Sequence, residues 1–265
     1  AYPSTVLMDA IPAKIAGCSE IVMVSPPTSG GTIAAPILAA AKMAGVTKIF
    51  KLGGAQAVAA LAYGTESVPK VDKIVGPGNV FVTKAKMMLR DVVEIDFPAG
   101  PSEGAVLADS SADPAFIASD LVAQAEHDPS SASILITDSE ELALAVGKEI
   151  EKQIANAPRK EIIDVALKNS GYILAKDIDH AIEMMNEAAP EHLCIVTKDP
   201  LDTLSKVRNA GSIFVGPYTP IAAGDYASGT NHVLPTAGNA KVSSRLNVAH
   251  FRKTSTVQFL TKEGL

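Results

Sequence analysis

The chain has no tryptophan, only two cysteines and no excess of basic residues, and each shortage narrows what it can be. Aromatic residues make up 5% of its 265 positions while 47% are hydrophobic, so the core is built from Ala, Val, Ile and Leu. That composition suits parallel strands covered by helices on both faces. Cys18 and Cys194 each sit in or beside an apolar run, which points to buried free thiols in a reducing compartment rather than a disulfide. A net charge of -6 with no Lys/Arg stripe excludes nucleic acid as the main partner. No apolar run approaches the length of a membrane span and no signal peptide opens the chain, so a cytoplasmic globular protein with no membrane partner is expected. The chain starts at Ala1 without Met and ends just after a strand-like run, as a piece of a longer protein would.

What the chain does contain is a repeated alternation of strand and helix. EIVMVS, a helix over 33–44, KIFKL and a helix from Ala55 form one βαβ unit. DKIVG, a helix through VFVTKAKMMLR, and VVEID continue it. FPAGPSE, residues 97–103, is a Pro/Gly-rich interruption, and the rhythm resumes with AVLAD, a helix opened by Asp113-Pro114, SILIT, helical 140–155 and 160–168, GYILA, helical 178–188, a strand from the Glu191-His192 pair, and SIFVG. The reading is an α/β fold of two tandem open, mainly parallel sheets of Rossmann-like type with the site between them, divided as residues 1–99 and 100–265. After Gly216 the periodicity stops, and 217–239 reads as an ordered site loop because its Tyr, Asp and His are not typical of disorder.

Candidate chemistry concentrates at a few places. Pro190 disfavours helix at Ala189, so Glu191 and His192 fall at the mouth of a strand, where a carboxylate and an imidazole could handle protons. A solvated helix end presents the same pair, so support has to come from elsewhere. Three glycine-rich turns, PPTSGGT, GGAQA and GPGN, follow strands in the first half and could bring backbone N–H groups to a phosphate. None fits G-x-G-x-x-G, and glycine there is also ordinary punctuation. On one sheet edge they would project Gln56 and Asn79 towards a nucleotide. Gln124 and His127, three apart, share a helix face and with Asp225 offer mixed N/O donors to Zn²⁺ or a similar metal. His127 is equally what complements a helix dipole. Glu126 points elsewhere by helical spacing, Ser102 lies in the turn between the halves, and His180 and His250 carry no assigned role.

Taken together and in this order, GGAQAVAALAYGTESVPKVDKIVGPGN, FPAGPSE, LVAQAEHDP, APEHL and GDYASGTNHVLPT resemble the histidinol dehydrogenase family over essentially the whole chain. The resemblance implies NAD-dependent oxidation of L-histidinol through L-histidinal to L-histidine, the last step of histidine biosynthesis. It assigns Gln124, His127 and Asp225 to zinc, His192 to the base that takes the alcohol proton, and Glu191 to the activation of water. Gln56 and Asn79 become NAD contacts, and Ser102, Gln124, His127, His192, Asp225 and His232 the substrate set. It also implies a homodimer in which a tail after Leu265 supplies a Glu and the remaining His ligand to the neighbouring subunit, and a segment before Ala1 with an NAD-contacting Tyr. Two other readings of the same residues are a zinc hydrolase, in which Glu191 activates water without a dinucleotide, and an inactive nucleotide- or histidinol-binding fragment.

Overall fold

The computed structural model describes residues 2–265. The first half runs α1 (Pro3–Ala16), β1 (Val22–Val24), α2 (Ala35–Ala44), β2 (Lys48–Phe50), α3 (Gly54–Tyr63), β3 (Lys73–Ile74), α4 (Val80–Leu89) and β4 (Glu94–Ile95). The second runs β5 (Glu103–Ala108), α5 (Pro114–Ala125), β6 (Ala132–Thr137), α6 (Glu140–Ile154), α7 (Lys160–Ala166), β7 (Gly171–Leu174), α8 (Ile178–Ala188), β8 (His192–Val196), α9 (Pro200–Lys206), β9 (Ser212–Val215) and α10 (Ile221–Tyr226). The protein is α/β with parallel sheets, as its alternation predicts.

In the second half five strands form one parallel sheet in the order β7-β6-β5-β8-β9. Successive strand residues enter different cores, because side chains alternate across a sheet. Val106, Cys194 and Val196 pack with Ile117 and Leu121 of α5, whereas Leu107, Leu193 and Ile195 pack with Ile182 and Met185 of α8. Both faces are therefore covered, which is why these strands read as continuous apolar runs.

The first half departs from the expected single sheet. Its strands form two separate parallel pairs, β1 with β2 and β3 with β4. The ladders run for only two or three residues, and Pro26, Gly53 and Gly76 follow β1, β2 and β3 within three residues. Packing restores continuity, since Val24 and Phe50 lie against the same apolar cluster as Ile74 and Val93.

Two further expectations need correction. Cys18 is exposed, one residue beyond the Gly17 cap that ends α1, while Cys194 is buried, and both thiols are free. The 217–239 segment is not all loop: Ile221–Tyr226 is helical, and Val233 is buried against Phe97 and Leu246. Asn231 donates to the Met8 carbonyl at 2.8 Å, and Lys73 donates to the carbonyl of His250, so this region ties the two halves together.

A buried charged cluster organises the turn after β3. Lys86 pairs with Asp96, with side chains 3% and 1% exposed. Between them they hold both backbone groups of Gly76: Lys86 donates to its carbonyl at 2.9 Å and its N–H donates to Asp96 Oδ2 at 2.8 Å. At φ +108° Gly76 adopts a conformation that side chains resist, and a Cβ there would stand 2.7 Å from Asp9 Oδ2. Asp9 Oδ1 is buried with no hydrogen-bond partner, and burial, reinforced by Asp96, pushes the Asp9 pKa up to about 8. A carboxyl whose folded pKa lies above its unfolded value stabilises the fold at low pH and loses that contribution as pH rises towards the folded value. Asp9→Asn is expected to match the parent in urea denaturation at about pH 3.5 and to become the more stable of the two as pH rises from about 4 to about 8.

Candidate active site

The site forms where β8 lies between β5 and β9. Parallel register sets His192 opposite Gly104 on one side and Ser212 on the other. Since Cys194 and Val196 face α5, His192, two residues earlier, faces the same way. Across from it, a Cβ on Gly104 would meet Gln124 Cγ at 2.8 Å, so the glycine allows the Gln124 side chain to lie against β5.

Local structure supports this junction at several points. α8 ends at Ala189, whose φ of 49° is left-handed, and Pro190 follows directly. Asn186 stitches the end of α8 to the turn before β9: its amide donates to the Lys206 carbonyl at 3.0 Å and its oxygen accepts from the Asn209 N–H at 3.2 Å. Gly211 N–H donates to Pro190 O at 2.9 Å, and Ser212 N–H to Glu191 O at 2.8 Å. Phe214 of β9 lies 6.0 Å from the His192 ring, centroid to centroid, and its far edge fills the space where a Cβ on Gly224 of α10 would go.

Glu191 and His192 are 6% and 7% exposed, so the solvated helix end does not describe them. Glu191 Oε2 accepts from the Glu103 N–H at 3.0 Å and stands 3.6 Å from His192 Nδ1, too far for a hydrogen bond. Desolvation dominates both groups, in opposite directions. It raises the Glu191 pKa to about 8, opposed by the Glu103 N–H and Ser102 and reinforced by the charges of Glu103 and Asp225. It lowers the His192 pKa to about 4, with Asp225 opposing and His127 and His232 adding to the drop.

Those influences show which predicted residues share one neighbourhood. Ser102 and Asp225 act on Glu191, and His127, Asp225 and His232 act on His192. Gln124 joins them through Gly104. His127 lies two residues past the end of α5, where it is exposed, and Asp225 sits on α10 rather than in a loop. Gln56 and Asn79 belong to the other half. Gln56 lies in the first turn of α3, whose N-terminus has no side-chain cap, and Gly53 before it packs on Pro26, so two of the glycine-rich turns touch. Asn79 caps α4, its oxygen accepting from the Phe81 and Val82 N–H groups at 3.1 Å each.

Zinc suits the donor types present. Gln124 Nε2 is buried without a hydrogen-bond partner, and so is His192 Nδ1. An amide read in its reversed orientation, which places oxygen where nitrogen is drawn, offers a buried acceptor at the same point. With the His127 ring and the Asp225 carboxylate it would offer a metal a mixed N/O donor set, with room for further ligands. Among the described residues, no group of three or more His, Cys, Asp or Glu stands ready to hold a metal, so the amide is needed to complete even this set.

The histidinol dehydrogenase family model matches residues 1–265. The chain belongs to the histidinol dehydrogenase family. It is 55% identical over 264 residues to histidinol dehydrogenase of Methanosarcina mazei, covering 100% of this chain and 61% of that protein. The Methanothermobacter thermautotrophicus enzyme is 54% identical over 265 residues, covering 100% and 62%. A crystal structure of histidinol dehydrogenase from Elizabethkingia anophelis superposes with a TM-score of 0.94 at 44% identity, covering 99% of this chain and 61% of that one. The chain therefore spans about 61% of the length of these relatives. An acetylating aldehyde dehydrogenase from Geobacillus thermoglucosidasius, at 16% identity and a TM-score of 0.57, shares the fold alone.

Three residues of this candidate site escaped sequence reasoning. Glu103, read only as part of a boundary, holds Glu191 by its N–H and Ala237 by its carboxylate at 2.8 Å. Phe214 and Asp120 looked like ordinary strand and helix residues. Glu103 alone had a signal available, its position beside Ser102. Because a Cβ on Gly211 would stand 2.6 Å from the Glu191 carbonyl, Gly211→Ala is expected to force β8 and β9 apart and to cost about 1–3 kcal/mol in denaturant unfolding.

Proposed function

We propose that this chain carries the NAD-dependent oxidation of L-histidinol through L-histidinal to L-histidine, with residues 1–99 on the cofactor side and 100–265 bearing the metal and catalytic groups. The observation that carries the reading is the buried Glu191-His192 pair, shifted in opposite directions within reach of Ser102, His127, Asp225 and His232. When bound, NAD supplies the hydride acceptor for both oxidations, and zinc, held by Gln124, His127 and Asp225, fixes the imidazole and amino nitrogens of the substrate.

The protein's own groups move the protons. With its pKa near 4, His192 is a neutral imidazole across the physiological range and accepts the proton of the substrate alcohol. Glu191 deprotonates the water that hydrates the aldehyde, so that the second oxidation starts from a geminal diol. Its Oε2 is held by the Glu103 N–H, and Ser102 also acts on the carboxylate. Ser102 and His232 contact the substrate, and Gln56 and Asn79 contact the cofactor beside the uncapped start of α3 and the turn before α4. The working form is read as a cytoplasmic homodimer in which the neighbouring subunit supplies the remaining His ligand, an assignment that rests on the family resemblance.

Given L-histidinol, NAD and Zn²⁺, the protein is expected to form two NADH for each histidine. Silence from residues 1–265 with turnover by a chain of the relatives' full length locates the fault in the missing ends; no NADH from either, or hydrolysis of an amide and ester panel without NAD, overturns the reading. His192→Asn is expected to lower kcat by about 10²–10⁴-fold. Glu191→Gln should slow oxidation of supplied histidinal more than that of histidinol. Because Glu191 has to be ionised to take a proton, histidinal oxidation should rise with pH along a limb whose midpoint is about 8, and Glu191→Gln should remove that limb. His192, neutral from about pH 4 upward, adds no limb in this range.

A further inference from the structure

Asp120 lies on α5, and its carboxylate reaches two other elements of the site. Its Oδ1 accepts from the N–H of Ile221, the first residue of α10, at 3.1 Å. Its Oδ2 accepts from Cys194 Sγ of β8 at 3.5 Å. α10 is only six residues long and Pro220 at its N-cap supplies no side-chain cap, so it has little stability of its own. The Asp120 carboxylate fills the place of the missing cap from a neighbouring helix.

The spacing gives this link its meaning. Gln124 is four residues beyond Asp120 on α5, and Asp225 is four residues beyond Ile221 on α10. Four residues are about 6 Å of helix, and i and i+4 share a face. On β8, His192 is two residues from Cys194 on the same face, about 6.6 Å along the strand. A single carboxylate thus joins α5, α10 and β8 one level beneath Gln124, Asp225 and His192. Packing supports the same level, where Ile221, Leu121, Cys194 and Phe214 share one buried cluster.

We propose that Asp120 is the positioning residue of this site, fixing the spacing between Gln124 and Asp225 by capping α10 from α5 and anchoring both helices to the strand that carries His192. It touches neither substrate nor metal. The inference rests on the reading that Gln124, His127 and Asp225 hold zinc.

Zinc affinity, measured by competition with a chromophoric chelator, tests it on the parent, Asp225→Ala, Asp120→Ala and Asp120→Asn, together with amide exchange over 221–226. Asp225→Ala is expected to weaken binding, and Asp120→Ala to weaken it by about 10–100-fold, the usual effect of losing a group that orients a ligand. Asp120→Asn keeps an acceptor for the Ile221 N–H and should restore most of the affinity. Exchange in α10 should speed up in Asp120→Ala and not in Asp120→Asn. A general folding defect would instead lower thermal stability in Asp120→Ala while leaving zinc affinity and α10 exchange as in the parent, and that result overturns the inference with the zinc reading intact. Equal zinc binding by the parent and Asp225→Ala overturns the zinc reading and the inference with it. Should Asp120→Ala not fold, Ile221→Pro removes the same bond from the other side, since Pro is tolerated at the first helical position and Pro220 is already extended. Parent-like zinc affinity in that variant overturns the inference; a comparable loss supports it.

Discussion

The register of β8 against β5 is the constraint on which the site depends. With Gly104 opposite His192, the imidazole points towards α5 and α10, where Gln124 and Asp225 are, and Glu191 meets the Glu103 N–H. A slip of one residue would turn His192 into the α8-side core and break that contact. The register is held from both ends. Asn186 and the Gly211 and Ser212 N–H groups fix the entry to β8, and alternate burial of Leu193 and Ile195 against Cys194 and Val196 fixes its two faces.

Chain direction explains how the proposed site would come to lie where the halves join. Strands of open α/β sheets present ligands beyond their carboxyl ends, and Gln56 and Asn79 do lie beyond the ends of β2 and β3. Glu191 and His192, by contrast, lie at the amino end of β8, beside the amino end of β5. The short stretch from Ile95 to Glu103 leads from the carboxyl edge of the first half to the amino edge of the second. The chain thereby passes from an edge rich in glycine turns to one of opposite polarity that carries titratable side chains. The Thr236 hydroxyl, accepting from the Gly100 N–H, and Asn231, donating to α1, close the join from the far end of the chain.

How far the sequence revealed all this depends on the range of each signal. Strand-helix alternation is local, and the helices opened by Asp113-Pro114 and closed before Pro190 lie where their caps predict. The burial of Glu191 and His192 is not local, because it comes from β5 and β9, about ninety positions upstream and twenty downstream. The splitting of the first-half sheet into pairs was hidden for a similar reason: apolar runs specify strands, while the number of residues that pair depends on packing between distant segments. Asp225 read as a loop residue because α10 lacks its own cap, its stabilising carboxylate standing at Asp120 in a distant segment. Exposed Cys18 misled because EIVMV follows it, yet Gly17 turns the chain before that run begins.

The two buried charged clusters show how similar residues serve different ends. Lys86 and Asp96 are in contact, and their remaining hydrogen-bonding capacity is spent on both backbone groups of Gly76, so the charges are compensated and the turn is held. Glu191 and His192 are almost as deeply buried, but they stop at 3.6 Å and His192 Nδ1 has no partner. A pair built for stability would close that distance and ionise. Left apart, with a single backbone N–H on the carboxylate, the two settle towards their neutral forms, one as an unprotonated imidazole and the other as a carboxyl near its midpoint at about pH 8. In the proposed reaction, burial that would be a defect in a scaffold leaves His192 free to accept a proton at once and Glu191 free to do so only as pH rises past about 8.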